Sequence, residues 1–153
     1  MTTKRAAFSF VELFIVVIFL GIFAIIAVPR LNFGVISKQK ADTVARKIVT
    51  DLRLTRALAI SDAAGNSNGY EMKMVGSVPY NAYEIENVDT HETVNSYSTE
   101  GVTISCPKGH KFRFGPLGGL TSGSATEITI SSEGRSFTIT VSPATGMVKC
   151  VQN

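Results

Sequence analysis

From Ala6 to Val28 the chain is apolar or glycine at every position except Ser9 and Glu12, and Leu13 to Val28 carries no charge at all. About 23 helical residues rise ~34 Å at ~1.5 Å each, enough for the ~30 Å hydrocarbon core of a bilayer. The pattern therefore predicts a membrane-crossing helix close to the N-terminus. Lys4 and Arg5 precede the run and Arg30 is the first basic residue after it, a distribution that weakly favours a cytoplasmic N-terminus.

Past a break at Leu31-Asn32-Phe33-Gly34 the period changes. Apolar residues recur at Ala41, Val44, Ala45, Ile48, Leu52 and Ala59, with Lys40, Arg46, Lys47 and Arg53 on the other faces. Spacings of three, four and seven predict an amphipathic helix of about seven turns that runs to roughly Asp62. Its apolar face needs a sheet to cover it. The stretch Ala63-Ala64-Gly65-Asn66-Ser67-Asn68-Gly69 is a strong stop signal. Short β-like runs follow at Tyr70–Val75, Ala82–Glu86, Val102–Cys106, Lys111–Phe114, Glu127–Ser131, Ser136–Val141 and Met147–Val151, separated by Gly, Pro and Ser clusters. The expected class is α+β, one long N-terminal helix packed on an antiparallel sheet.

Composition changes this picture little. The chain has 153 residues, room for one ordinary domain and one anchoring segment. The formal charge of +3 invites an acidic partner, but setting aside Lys4 and Arg5 leaves 13 basic against 12 acidic residues. Bulk charge then gives no case for nucleic acid.

Three readings compete for the apolar run: a cleaved secretory signal, a plain anchor and an assembly segment. A signal peptide wants small residues one and three positions before the cut, a spacing that Ala24-Ile25-Ile26-Ala27-Val28-Pro29 does not offer cleanly. A plain anchor leaves Glu12 unexplained, because a carboxylate inside a membrane edge is costly and marks function. Gly21 and Pro29 are expected to weaken the helix between them: glycine costs about 1 kcal/mol, and proline removes a backbone hydrogen bond and clashes with the carbonyl four residues earlier.

The residues Met1 to Leu13, with Lys4-Arg5 before Ala7-Phe8 and Glu12 five positions into the chain counted from Phe8, resemble the leader and first turn of type IV prepilins. Gly21 and Pro29 fall on that family's pattern too; Ala7 departs from the glycine usual before the cut. Later, Phe112-Arg113-Phe114-Gly115-Pro116-Leu117-Gly118 and Thr145-Gly146-Met147-Val148 are similar to the GspH/FimT-type minor pseudopilin domain. The resemblance implies a leader at 1–7 cut after Ala7 by a prepilin peptidase, N-methylation of Phe8, a transmembrane and assembly helix at 8–29, the amphipathic half of the same helix at 30–62, and a periplasmic β-rich domain at 63–153. It also implies a structural subunit of the inner membrane that joins other pseudopilins or pilins on an assembly platform, either as a minor pseudopilin of type II secretion, initiating or capping the pseudopilus, or as a minor pilin of a type IV pilus. Glu12 would then set subunit register by meeting a neighbour's Phe8 amine, since a carboxylate in a low-dielectric medium gains most from such a cation.

Cys106 and Cys150 lie in segments read as strands. In an oxidising periplasm they either close a structural disulfide or stand as two buried apolar thiols. No catalytic, cofactor or metal site is expected. Cys106 with His110 gives too few ligands for zinc; His91 and His110 sit in no nucleophile motif; Gly115-Pro116-Leu117-Gly118-Gly119 lacks the Lys-Ser/Thr of a phosphate loop. The acids Glu84, Glu86, Asp89 and Glu92, like Asp62 with Asn66 and Asn68, read as solvated strand and loop rather than a calcium cage. Nucleic acid is not expected as a partner, because Lys149 stands alone in the C-terminal tail while Lys108, Lys111 and Arg113 alternate elsewhere.

Overall fold

A computed structural model describes residues 9–27 and 33–153. The chain divides into two units, 1–33 and 34–153. In the first, α1 covers Phe10–Ala27. Its 18 residues rise only about 27 Å at ~1.5 Å each, and among the described residues no helix is long and apolar enough to cross a membrane. Ala7, Phe8 and Pro29 lie outside the described residues.

The second unit is built around α2, Phe33–Ser61. The expected single long helix is thus described as two helices, and α2 already includes Phe33 and Gly34, which the sequence reading placed in a break. The helix stops where the polar loop begins: the amides of Gly65 and Asn66 both bond the Asp62 carbonyl, at 3.0 and 2.9 Å. Asn66, 2% exposed, then closes the loop. Its Nδ2 donates to the Gly69 carbonyl (2.8 Å) and to Asn87 Oδ1 (2.9 Å), while its Oδ1 accepts from the amides of Asn68 and Gly69.

Eight strands follow: β1 Tyr70–Val75, β2 Ala82–Asn87, β3 Thr93–Ser98, β4 Thr103–Ser105, β5 Lys111–Phe114, β6 Glu127–Ser132, β7 Arg135–Val141 and β8 Val148–Gln152. They form two antiparallel sheets, ordered β3-β2-β1-β5 and β4-β6-β7-β8, where a single sheet was expected. Geometry explains the split. A helix about 10 Å across covers roughly two strands spaced ~4.8 Å apart, so eight strands under one helix need a second layer of their own. One core results: Ala41, Val44, Ala45, Ile48 and Leu52 of α2 pack with Met72, Ile85 and Phe112 of the first sheet and Ile104, Ile128, Ile130 and Ile139 of the second.

Of the two alternatives for the cysteines, the structure carries the unbonded one, with only Cys106 buried. Cys106, buried just past β4, and Cys150, exposed on β8, are both free thiols. With β6 and β7 between their strands the sheet separates them by about 14 Å at ~4.8 Å per strand, far beyond the ~4.4–6.8 Å between Cα atoms that a bridge requires.

Candidate functional site

The sequence directs attention first to α1. The Ser9 carbonyl accepts from the amides of Glu12 (3.0 Å) and Leu13 (3.2 Å), which places Glu12 in the first helical turn, where the helix dipole favours a negative charge. Among the described residues no side-chain partner reaches the Glu12 carboxylate. The helix continues unbroken through Gly21 to Ala27, so glycine alone does not interrupt it. A Cβ added at Gly21 would meet nothing within 4 Å. Among the described residues no packing asks for glycine there, and a position without a side chain admits close approach by another helix.

In the second unit the candidate chemistry is largely consumed by the fold. Glu84 and Glu86 stand on the outer face of β2; Lys73 of β1 pairs with Glu86 at 2.8 Å and Lys111 of β5 with Glu71 at 2.9 Å. Asp89 receives the Asn68 side-chain amide, which holds its carboxyl below the ordinary range. His91 sits at φ 58° in the turn after β2, and His110 precedes β5, its carbonyl accepting from the Met74 amide at 2.8 Å. Among the described residues no three His, Cys, Asp or Glu side chains come together as metal ligands. Arg113 donates to the Asn68 carbonyl (3.0 Å) and side chain (2.8 Å), so with Lys111 committed to Glu71 the alternating basic residues do not form a free cluster.

The two glycine turns that carry the family resemblance meet in space. Arg56 of α2 donates from Nε to the Gly118 carbonyl at 3.1 Å. Gly146, at φ 64°, packs so closely that a Cβ there would collide with that same carbonyl oxygen. Leu117, at the tip of the first turn, is 98% exposed.

Two further arrangements escape sequence reading. The first is a buried polar triad. Asp51, 2% exposed on α2, takes Lys47 Nζ on both oxygens at 2.6 Å and the Tyr83 hydroxyl at 2.7 Å. Burial and then the Asp51 bond push the Tyr83 hydroxyl far above its ordinary pKa. Tyr97 of β3 flanks both, its ring 5.6 Å from that of Tyr83 and 5.4 Å from Lys47 Nζ. The second is a groove of about 610 Å³ between α2 and β8, lined by Asp42, Arg46, Arg53, Val49, Phe137 and Cys150. Cys106 is walled into the core, and burial pushes its thiol up to about 12; it is no nucleophile at neutral pH.

Set against protein-family models, curated proteins and solved structures, the chain matches none of them.

Proposed function

We propose that the chain is a filament subunit, a pilin-like minor pseudopilin of type II secretion that helps to initiate or cap the periplasmic pseudopilus, with no catalytic step of its own. One observation carries this reading: an N-terminal helix whose large apolar side chains are 46–81% exposed over Phe10–Ile25 and whose first turn holds a lone carboxylate. Such a helix gains stability only from an apolar surrounding, whether lipid or the helices of neighbouring subunits. The segment 8–29, four residues longer than α1 as described, crosses the inner membrane with the N-terminus cytoplasmic and the β-rich domain periplasmic. Cleavage after Ala7 frees the Phe8 amine, which is methylated and meets Glu12 of the next subunit. Gly21 lets helices approach, and Pro29 ends the segment.

The test is Glu12→Ala in the full chain, followed by membrane fractionation, intact mass and crosslinking to the other pseudopilins. The expected variant inserts and loses residues 1–7 normally yet fails to crosslink. In a plain anchor the carboxylate is a burden of about 2.5–3.5 kcal/mol, and its removal helps or does nothing. Unchanged crosslinking, or a mature protein that retains Met1, overturns the proposal.

A further inference from the structure

We propose that β8 is a docking edge for an extended peptide strand carrying an acidic side chain, supplied by a partner protein. The inference rests on the second unit alone and stands whether or not the chain builds filaments.

The backbone comes first. In the β7–β8 ladder Ser142 donates to Met147 at 2.9 Å and Asn153 to Ser136 at 3.0 Å. The register between them pairs Thr140 with Lys149 and Thr138 with Val151. Antiparallel partners alternate between hydrogen-bonded and non-bonded pairs, so Lys149 and Val151 bond β7, whereas the N–H and C=O groups of Val148, Cys150 and Gln152 point away from it. β8 ends its sheet, and among the described residues no hydrogen bond reaches these outward groups.

The other edges are guarded. Thr121 and Ala125 donate to the Arg113 and Lys111 carbonyls along β5, at 2.9 and 2.7 Å. Tyr80 bridges to Ile104 beside β4, and the pairing of β2 with β3 is irregular at Ile85/Glu86, a bulge that bends the β3 edge. Among the described residues β8 combines a regular ladder on one side with a row of free donors and acceptors on the other, which is the template that strand addition uses.

The groove supplies the specificity. A strand added along β8 lays every second side chain over the space between β8 and α2. The floor there is apolar, with Ala45 at 1%, Val49 at 9% and Phe137 at 5% exposure. The rim is positive: Asp42 answers Arg46 at 2.9 Å, but among the described residues Arg53 has no acidic partner. Apolar residues flanking an aspartate or glutamate complement this surface. Nucleic acid would use the arginines but neither the apolar floor nor the backbone row.

The probe is a fluorescent peptide, acetyl-Thr-Val-Thr-Asp-Thr-Val-Thr-amide, titrated into the full chain in detergent micelles and followed by polarisation, with amide exchange read by NMR. In the free protein the amides of Lys149 and Val151 are protected and those of Val148, Cys150 and Gln152 exchange rapidly. On binding, these three become protected. A peptide with Lys in place of Asp, and one N-methylated along the pairing edge, bind about tenfold more weakly or worse. Arg53→Glu weakens the acidic peptide by about tenfold and favours the Lys peptide. The proposal is overturned by absence of binding, by binding without protection at the three amides, or by indifference to Arg53→Glu. It is equally overturned if a short oligothymidylate binds through Arg53 and the peptide does not, or if the three amides are protected by concentration alone, which assigns the edge to a second copy of this chain.

Discussion

The two units treat the same residue types in opposite ways. In α1, Ile15, Ile18 and Ile22 are 46–49% exposed; in the second unit Ile48, Ile85, Ile128 and Ile139 are wholly buried. The carboxylates differ as sharply. Asp51 is buried and answered by Lys47 and Tyr83, while Glu12 has no side-chain partner among the described residues. A residue that the fold has already satisfied serves the fold. A costly residue left unsatisfied within its own chain points to what lies outside it. In the filament proposed above, assembly accordingly falls to α1, whereas the second unit encloses its own core, stabilised by burying each large aliphatic side chain at roughly 1.5–3 kcal/mol.

The largest effect that can break this contrast lies at Asp51. Asp51→Ala leaves the buried Tyr83 hydroxyl without its acceptor beside an emptied site, while Lys47, 35% exposed, turns to solvent; the unsatisfied hydroxyl and the lost charge-assisted bonds cost about 2–3 kcal/mol. Tyr83→Phe removes one bond to a charged acceptor and is expected to cost about 1.5–3 kcal/mol. Urea denaturation monitored by near-ultraviolet circular dichroism measures both. Equal and negligible losses would mean that the triad does not hold α2 to the first sheet.

The glycines give a smaller and sharper comparison. Gly146→Ala forces a side chain into the left-handed region and against the Gly118 carbonyl and Arg56, with a left-handed strain of about 1–2 kcal/mol and the collision added to it. Gly134→Ala, at φ 79° with nothing within 4 Å, carries the strain alone. Gly21→Ala meets no atom within 4 Å among the described residues and should raise the helicity of α1 in micelles, by about 1 kcal/mol of propensity. The expected order of stability loss is Gly146, then Gly134, then none at Gly21. A loss at Gly134 as large as at Gly146 would show that the two glycine turns do not lock one another.

Much of the second unit was legible because its elements announce themselves locally. Tyr70–Val75 and Lys111–Phe114 were read to the residue, and Ala41, Val44, Ala45, Ile48, Leu52 and Ala59 all fall on the buried face. What was missed needs distant partners. β3 reads Thr-Val-Asn-Ser-Tyr-Ser, too polar to register as a strand; β2 and the contact of Tyr97 with Tyr83 make it one. Asp51 and Thr55 sit on the buried side of α2 and yet read as polar positions: Lys47 lies one turn from Asp51 and Thr55 bonds the Asp51 carbonyl, but the Tyr83 hydroxyl that makes burial of Asp51 tolerable comes from a distant strand. The cysteines were placed in strands, but nothing local says that two further strands lie between them. The processing residues Ala7 and Phe8, and Pro29 after them, fall outside the described residues and rest on the sequence alone.

The smallest expected effect concerns charge on the outer face of β1 and β2. Hydrogen bonding from Lys73 holds the Glu86 carboxyl below its ordinary value of 4.5, and both side chains are partly buried, at 29% and 13% exposure. A carboxyl whose folded pKa is depressed binds its proton less readily than in the unfolded chain, so it contributes stability that is full above the unfolded pKa and is lost as pH falls through the folded one. The second unit should thus lose stability in the acid range beneath about 4.5, by no more than about 1 kcal/mol from this pair, since partly exposed pairs are screened. Lys73→Met removes the cause. Urea midpoints measured from pH 7 down to pH 3 should fall less steeply in the variant than in the parent chain, while α1, which lacks any such pair among its described residues, keeps its helicity in micelles throughout. Parallel pH profiles for parent and variant would mean that Lys73 leaves the titration of Glu86 untouched.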